Sequence, residues 1–446
     1  MNTQKSLFET IASWIKHSIM LKLSIVGILI LILLIPTTMI QSIIDEREQM
    51  NRMATEEVSS KWANEQLING PILTIPLSYE RENKEEIEVW EEYLHILPES
   101  LNINGSVDPE KLKRGIYEIV VYKSQLVLNG DFITHAKFDR KDLKQIHLDQ
   151  AFLTIGISDL RGIEDEINLS WNEQKLKATP GTRIPELIST GVTIELPEIS
   201  FIDSAIVDFK FDLKLQGSQN MSFVPLGSTT NVALTSPWPS PSFNGDFLPD
   251  ERTVGDKGFE ANWKILQLNR NFPQSWMGNR AKNQLATALF GVDLMLPLDD
   301  YQKATRSAKY AIMTIALSFL VFFLVEIING RKIHPFQYTL VGLSLCLFYI
   351  LLISISEHSN FNLAYLISSI AVIAMIFLYS FSVFRSSKLS ALLSAILIGL
   401  YGFLFVTLQM ADYALLMGSI GLTAILALTM YFTRNIDWYQ INQKSE

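Results

Sequence analysis

The chain has 446 residues, 48% of them hydrophobic, and a formal net charge of −9 from 37 Lys and Arg against 46 Asp and Glu. An acidic chain lacks the basic face that phosphate binding needs, which excludes nucleic acid as a partner. The single cysteine, Cys346, lies inside an apolar run; this excludes an internal disulfide and a thiolate metal cluster, and it reads as a small hydrophobe.

The apolar residues are segregated along the chain. Residues 1–22 form an N-terminal amphipathic segment, with Leu7, Ile11, Trp14, Ile15 and Ile19 at helical spacing between Lys5, Lys16 and Lys22. That pattern suits a helix in the cytoplasmic headgroup region. Residues 23–44 are free of charge and long enough for a first transmembrane helix, with Pro36 inside it. The run is longer than a signal-peptide core and has no small-x-small site, so it reads as a retained anchor. Residues 45–66 are polar with scattered apolar positions and extend the helix outward as a stalk.

Residues 45–305 read as a soluble, β-rich domain. In Val207-Asp-Phe-Lys-Phe-Asp-Leu-Lys-Leu215 apolar and charged residues alternate, which puts the apolar set on one face of a strand. The polar residues after Gly217 suggest a hairpin turn. Residues 259–265 repeat the pattern, with Trp263 inward. Further strands are expected at 72–79, 93–96, 119–128, 152–157, 167–171, 192–196 and 231–234. Asn104-Gly105, Asn129-Gly130 and Asn244-Gly245 read as turns between them. The proline-rich run Ser236–Phe243 reads as a stiff loop carrying Trp238 and Phe243. Many short one-faced strands bury that face against a second sheet, so the domain is expected to be all-β and sandwich-like.

Residues 306–432 form a five-helix transmembrane bundle with apolar runs at 310–328, 336–355, 361–384, 389–409 and 413–432. A tail, 433–446, follows. Lys5, Lys16 and Lys22, then Arg331 and Lys332, Arg385 and Lys388, and Arg434 and Lys444 mark alternate boundaries; 356–360 and 410–412 have no Lys or Arg. The positive-inside rule puts both termini in the cytoplasm and the β domain outside. The fold class expected is therefore an α-helical polytopic membrane protein with six transmembrane helices and a large extracytoplasmic β domain.

The polar residues near the spans form two expected groups. On the outer side, Arg306, Lys309, Glu357, His358 and Asp412 come close enough for a ring of opposite charges. On the inner side, Glu326 precedes Arg331, Lys332 and His334, with Arg434 and Asp437 at similar depth. Both groups suit pins that fix helix depth, or a polar route or docking surface connecting the domain to the bundle. No charge lies at the middle of a span, where a transport site would be expected. In Ser158-Asp-Leu-Arg-Gly162, Asp159 and Arg161 suit a braced turn or a ligand contact. No phosphate loop, nucleophile elbow or metalloprotease pair is present, and the six histidines are scattered singly, so no catalytic, cofactor-binding or metal-binding residue is assigned.

Ordered stretches carry a resemblance over nearly the whole chain. They include Gly70-Pro-Ile-Leu-Thr-Ile-Pro76, Leu97-Pro-Glu-Ser-Leu101, Lys113-Arg-Gly-Ile-Tyr117, Ser158-Asp-Leu-Arg-Gly162 and Phe223-Val-Pro225. In the membrane part they include His334-Pro-Phe-Gln-Tyr338, Ser356-Glu-His358 and Thr433-Arg-Asn-Ile-Asp-Trp-Tyr439. The chain resembles the CreD family of bacterial inner-membrane proteins. The resemblance implies a role in cell-envelope integrity, control by a two-component system, and links to colicin tolerance and the β-lactam response; it carries no catalytic residue or cofactor. The leading expectation is a non-enzymatic inner-membrane protein whose outer domain contacts an envelope partner. A transporter or flippase-like component and an envelope-acting enzyme with an unfamiliar site are the alternatives. Partner, inducing signal and oligomeric state are not legible in the residues.

Overall fold

The computed structural model describes residues 19–82, 87–134, 141–197, 206–294, 296, 300–328, 333–410 and 413–434. Most of the amphipathic segment, Arg331, Lys332, Asp412, Asp437 and nearly all of the tail lie outside the described residues. The chain divides into two compact units, residues 1–50 with 298–446, and residues 51–297. The boundaries expected from the sequence are 45 and 305.

Helix α1, Ile19–Trp62, runs unbroken through the apolar stretch and the polar one after it. Its 44 residues span about 66 Å at 1.5 Å per residue, roughly twice the hydrocarbon core of a bilayer. Its C-terminal part is polar and carries the Glu57–Lys61 pair at i,i+4, 2.7 Å apart. The expected stalk is thus helical to Trp62, and Gln66 opens a strand instead.

The β unit has two sheets among the described residues, of ten and eight strands. The long strand Gln66–Glu82 is the hub of the first. It pairs antiparallel with Ile87–Ile96, Leu143–Ile146 and Phe152–Ile157, and parallel with Asn220–Phe223. The second sheet is built on Ser100–Arg114, Tyr117–Ile133 and Ile206–Ser218, each antiparallel to the next. Strand Ile206–Ser218 alternates as its sequence requires, with Val207, Phe209, Phe211, Leu213 and Leu215 buried and the charged residues between them exposed. Residues of both sheets, Ile72, Leu153 and Phe290 with Leu101, Leu126 and Phe211, belong to one continuous apolar core.

Several local expectations need correction. The chain does not make a hairpin after Gly217: Gln219 takes a left-handed conformation, φ 61°, and the next strand, Asn220–Phe223, joins the other sheet. Asn104-Gly105 and Asn129-Gly130 lie inside paired strands and are not turns. A Cβ at Gly130 would sit 1.9 Å from the Ser100 carbonyl oxygen, and one at Gly105 2.3 Å from that of Gln125, so close strand approach demands these glycines. Phe243 sits on an edge strand, Pro241–Gly245, which tolerates proline because its other side is unpaired among the described residues. The domain is not purely β, since α2, Lys282–Thr287, is a short helix.

In the other unit, α3 (Asp300–Lys309) and α4 (Ala311–Ile328) are separated by a bend of 44°. Then come α5 (Pro335–Ser356), α6 (Phe361–Phe384), α7 (Ser387–Gln409) and α8 (Ala414–Thr433). Four helices, α1, α5, α6 and α7, are long and apolar enough to cross a membrane, and the bent pair α3–α4 makes up to five. Among the described residues the apolar stretch of α8 is Leu416–Tyr431. Of the six spans expected, the first, third, fourth and fifth correspond to α1, α5, α6 and α7, the second is bent at Tyr310, and the sixth coincides with the 20-residue α8. The helices pack around an aromatic cluster in which Phe348 lies 4.6 Å from the Tyr401 ring and 5.2 Å from that of Tyr365. The Tyr365 hydroxyl donates to the Tyr401 carbonyl at 2.8 Å.

Candidate functional site

A dense polar constellation of the β unit lies at the C-terminal end of α1. The last turn of a helix leaves carbonyls without intrahelical partners and carries partial negative charge. Arg161 donates through Nη1 to one of these, the Ser60 carbonyl. Its other nitrogens grip Asp159, at 2.9 Å from Nε and 2.6 Å from Nη2. The Asp159 carboxylate also accepts from the backbone amides of Asn64 at 2.9 Å and Arg161 at 3.1 Å. The guanidinium and these amides hold the Asp159 carboxyl down at a pKa of about 2.

Gln66, fully buried, donates to the carbonyls of Asp159 at 3.0 Å and Gln216 at 2.8 Å. The Ser158 hydroxyl donates to the Glu65 carbonyl and accepts from the Leu67 amide, at 2.7 and 2.8 Å. A Cβ at Gly162 would come within 2.3 Å of both the Gln216 carbonyl oxygen and the Gln66 amide nitrogen. Ser158, Asp159, Arg161 and Gly162 of the motif therefore share one task, fastening the end of α1 and the start of the first strand to the β unit. Two more cations join it: Arg114 reaches Glu57 at 2.9 Å, and Lys123 lies 5.9 Å from the Trp62 ring centre. Lys61 and Arg114 lower the Glu57 pKa. Sequence reading found Asp159 and Arg161 but missed Gln66, Ser158, Arg114 and Glu57. The only signal for Gln66 was a polar residue at the opening of an apolar strand.

The membrane unit has its own polar centre. Glu326, at 4% exposure, accepts from Lys22 Nζ at 2.6 Å, the Tyr338 hydroxyl at 2.8 Å and the Ile333 amide at 3.2 Å. It thus ties α1, α4 and α5 together. His334 does not join it: its Nδ1 accepts from the Phe336 amide at 3.2 Å and caps α5, with Gln337 closing the capping box and Pro335 in the first turn. The expected outer ring is not assembled as drawn. Glu357 pairs with Arg47 of α1 at 3.2 Å and not with Arg306 or Lys309, which lie on α3. His358 follows the end of α5, its amide bonded to the Ile355 carbonyl. Asp412 is outside the described residues.

Chemically, these centres hold segments together by ion pairs and caps. No group of three or more His, Cys, Asp or Glu is placed to bind a metal among the described residues. His95, 1% exposed, has Nδ1 3.0 Å from the Thr74 hydroxyl, and burial lowers its pKa to about 4, so it stays neutral in the core.

The family model described as "Inner membrane protein CreD" matches residues 18–439. The chain belongs to the CreD family. It is 35% identical over 414 residues to inner membrane protein CreD of Escherichia coli strain K12, covering 92% of this chain and 91% of that relative. A solved structure from Legionella pneumophila aligns with 50% of this chain and 77% of its own at 9% identity and a TM-score of 0.25, too distant to carry an argument. Membership of the CreD family and the apolar helices agree on a multi-pass inner-membrane protein with a large β domain. The match spans both the clamp at the end of α1 and the Glu326 centre.

Proposed function

We propose that this CreD-family chain is a non-enzymatic envelope-integrity protein. Its β domain faces the periplasm and contacts an envelope partner, contributing to tolerance of envelope stress such as colicins and β-lactams. In this reading both termini are cytoplasmic, the bent pair α3–α4 forms the second of six spans, and α8 forms the sixth. The observation that carries the reading is the clamp: Ser158, Asp159 and Arg161, with Gly162 admitting close approach, fasten the β unit to the end of a membrane helix, the construction a mounted contact domain requires. The buried acid Glu326 is committed to Lys22, Tyr338 and the Ile333 amide, which favours a mount over a conduit.

The test is a deletion strain complemented with wild type or with Arg161→Ala. Deletion should raise sensitivity to detergent and β-lactam, and Arg161→Ala should rescue only in part at equal membrane abundance. A deletion strain with unchanged permeability, detergent resistance and β-lactam response would overturn the reading.

A further inference from the structure

The outward face of the eight-stranded sheet carries a row of carboxamides that the clamp does not use. Asn129, Asn102 and Asn231 stand in register on three neighbouring strands, followed by Lys264 on the fourth. Asn231 donates to Asn102 at 2.9 Å, and Asn102 faces the Asn129 carboxamide oxygen at 3.4 Å. Asn104 and Asn262 lie one register step along, each side of Ala233. Among the described residues neither of their side-chain amides has a hydrogen-bond partner within the chain. These residues line a recess of about 750 Å³ with Asp250, Glu251 and Lys264, which leave a net charge of −1 on its lining. That volume lies within the roughly 300–1,000 Å³ of small-ligand sites.

A solvated strand face ordinarily carries charged residues, as Ile206–Ser218 does with Asp208, Lys210, Asp212 and Lys214. Five asparagines in two adjacent register rows need another account. A carboxamide offers a donor and an acceptor side by side, which matches a neutral ligand rich in hydroxyls and amides and gives a charged one little. The ladder is itself amide on amide, so a ligand acetamido group would extend it at Asn104 or Asn262. Leu266, which lines the same recess at 41% exposure, offers an apolar contact for the acetamido methyl.

We propose that this recess binds an oligosaccharide of N-acetylated hexosamines, and that its source is the glycan strand of the cell wall. This inference deepens the reading that the β domain meets the envelope and names the chemistry of that contact. The test uses the full chain in lipid nanodiscs and titrates chitotriose, with cellotriose as the match bearing hydroxyls in place of the acetamido groups. Chitotriose should bind and cellotriose should bind several-fold more weakly. The double variant Asn104→Ala, Asn262→Ala should weaken chitotriose binding by about tenfold or more. Lys210→Ala with Asp212→Ala, on the same face but outside the recess, should leave binding unchanged. A full-chain preparation with the native unfolding profile that fails to bind chitotriose overturns the inference. So does equal binding of the two sugars, or binding undiminished in the asparagine variant. Co-sedimentation with purified cell-wall sacculi supports the stated source, and failure to sediment overturns it. None of these results decides the envelope reading, which rests on the deletion strain.

Discussion

Replacing Asp159 by Asn keeps the side chain's shape and removes its charge, which isolates what the carboxylate contributes to the clamp. In the folded chain that group is 8% exposed, and its pKa is lowered to about 2 from the ordinary 3.8, first by the hydrogen bond from Arg161. At about 1.4 kcal/mol per unit, the shift corresponds to roughly 2 kcal/mol held by the ionised form. The contacts lead to a similar figure. The Arg161 side chain is 55% exposed, so solvent screens most of that ion pair, while the amides of Asn64 and Arg161 contribute about 1–2 kcal/mol between them. Because the folded pKa lies below the unfolded one, the contribution is complete above about pH 4 and is lost as pH falls toward 2. Hydrogen exchange of the full chain in nanodiscs, read on peptides covering residues 58–68, measures it. At pH 7 the variant should open this segment about 30-fold more often than wild type, with peptides from the centre of strand Tyr117–Ile133 unchanged. Acidification toward pH 2 should bring the wild type down to the variant. A change of less than about threefold, or one spread evenly over the β unit, would refute the argument.

Glu326→Ala should destabilise the membrane unit by about 3–5 kcal/mol, because it strands the Tyr338 hydroxyl and removes the partner of Lys22; Glu326→Gln, which keeps an acceptor, should cost less. Thermal loss of the monodisperse peak in size-exclusion chromatography ranks the two, and equal midpoints would contradict the assignment. Gly130→Ala should cost at least about 1–3 kcal/mol, since its Cβ would overlap the Ser100 carbonyl, whereas Gly255→Ala, with open space around it, should cost less. Urea unfolding followed by tryptophan fluorescence separates them.

Much of the β domain could be read from periodicity. Where one face is buried and the other solvated, as in Ile206–Ser218, alternation specifies the strand and its orientation together. Asn104-Gly105 and Asn129-Gly130 misled because an Asn-Gly pair is an equally good turn former and close-approach residue. Only the partner strand decides between those roles, and that is non-local information. The same holds for the step after Gly217, where a turn signal was correct but the sheet it led to was not visible. Asp159 and Arg161 were legible as a pair because they are two residues apart. Their targets, Ser60 and Asn64, lie about a hundred positions away, and nothing local marks them. Among the membrane charges, loop lengths point Glu357 to neighbours on nearby helices, yet its partner, Arg47, belongs to α1. The extra length of α1 beyond a bilayer span makes that partner available.

Placement of the β domain outside the inner membrane is the claim on which the functional reading depends most. The only native cysteine, Cys346, is buried, so single introduced cysteines report cleanly. Lys210→Cys, on the solvent face of strand Ile206–Ser218, and Lys5→Cys, near the N-terminus, should be treated in spheroplasts with a membrane-impermeant maleimide. With the β domain outside, Lys210→Cys is labelled in intact spheroplasts and Lys5→Cys only after lysis. Labelling of Lys5→Cys in intact spheroplasts, with Lys210→Cys protected until lysis, would contradict it.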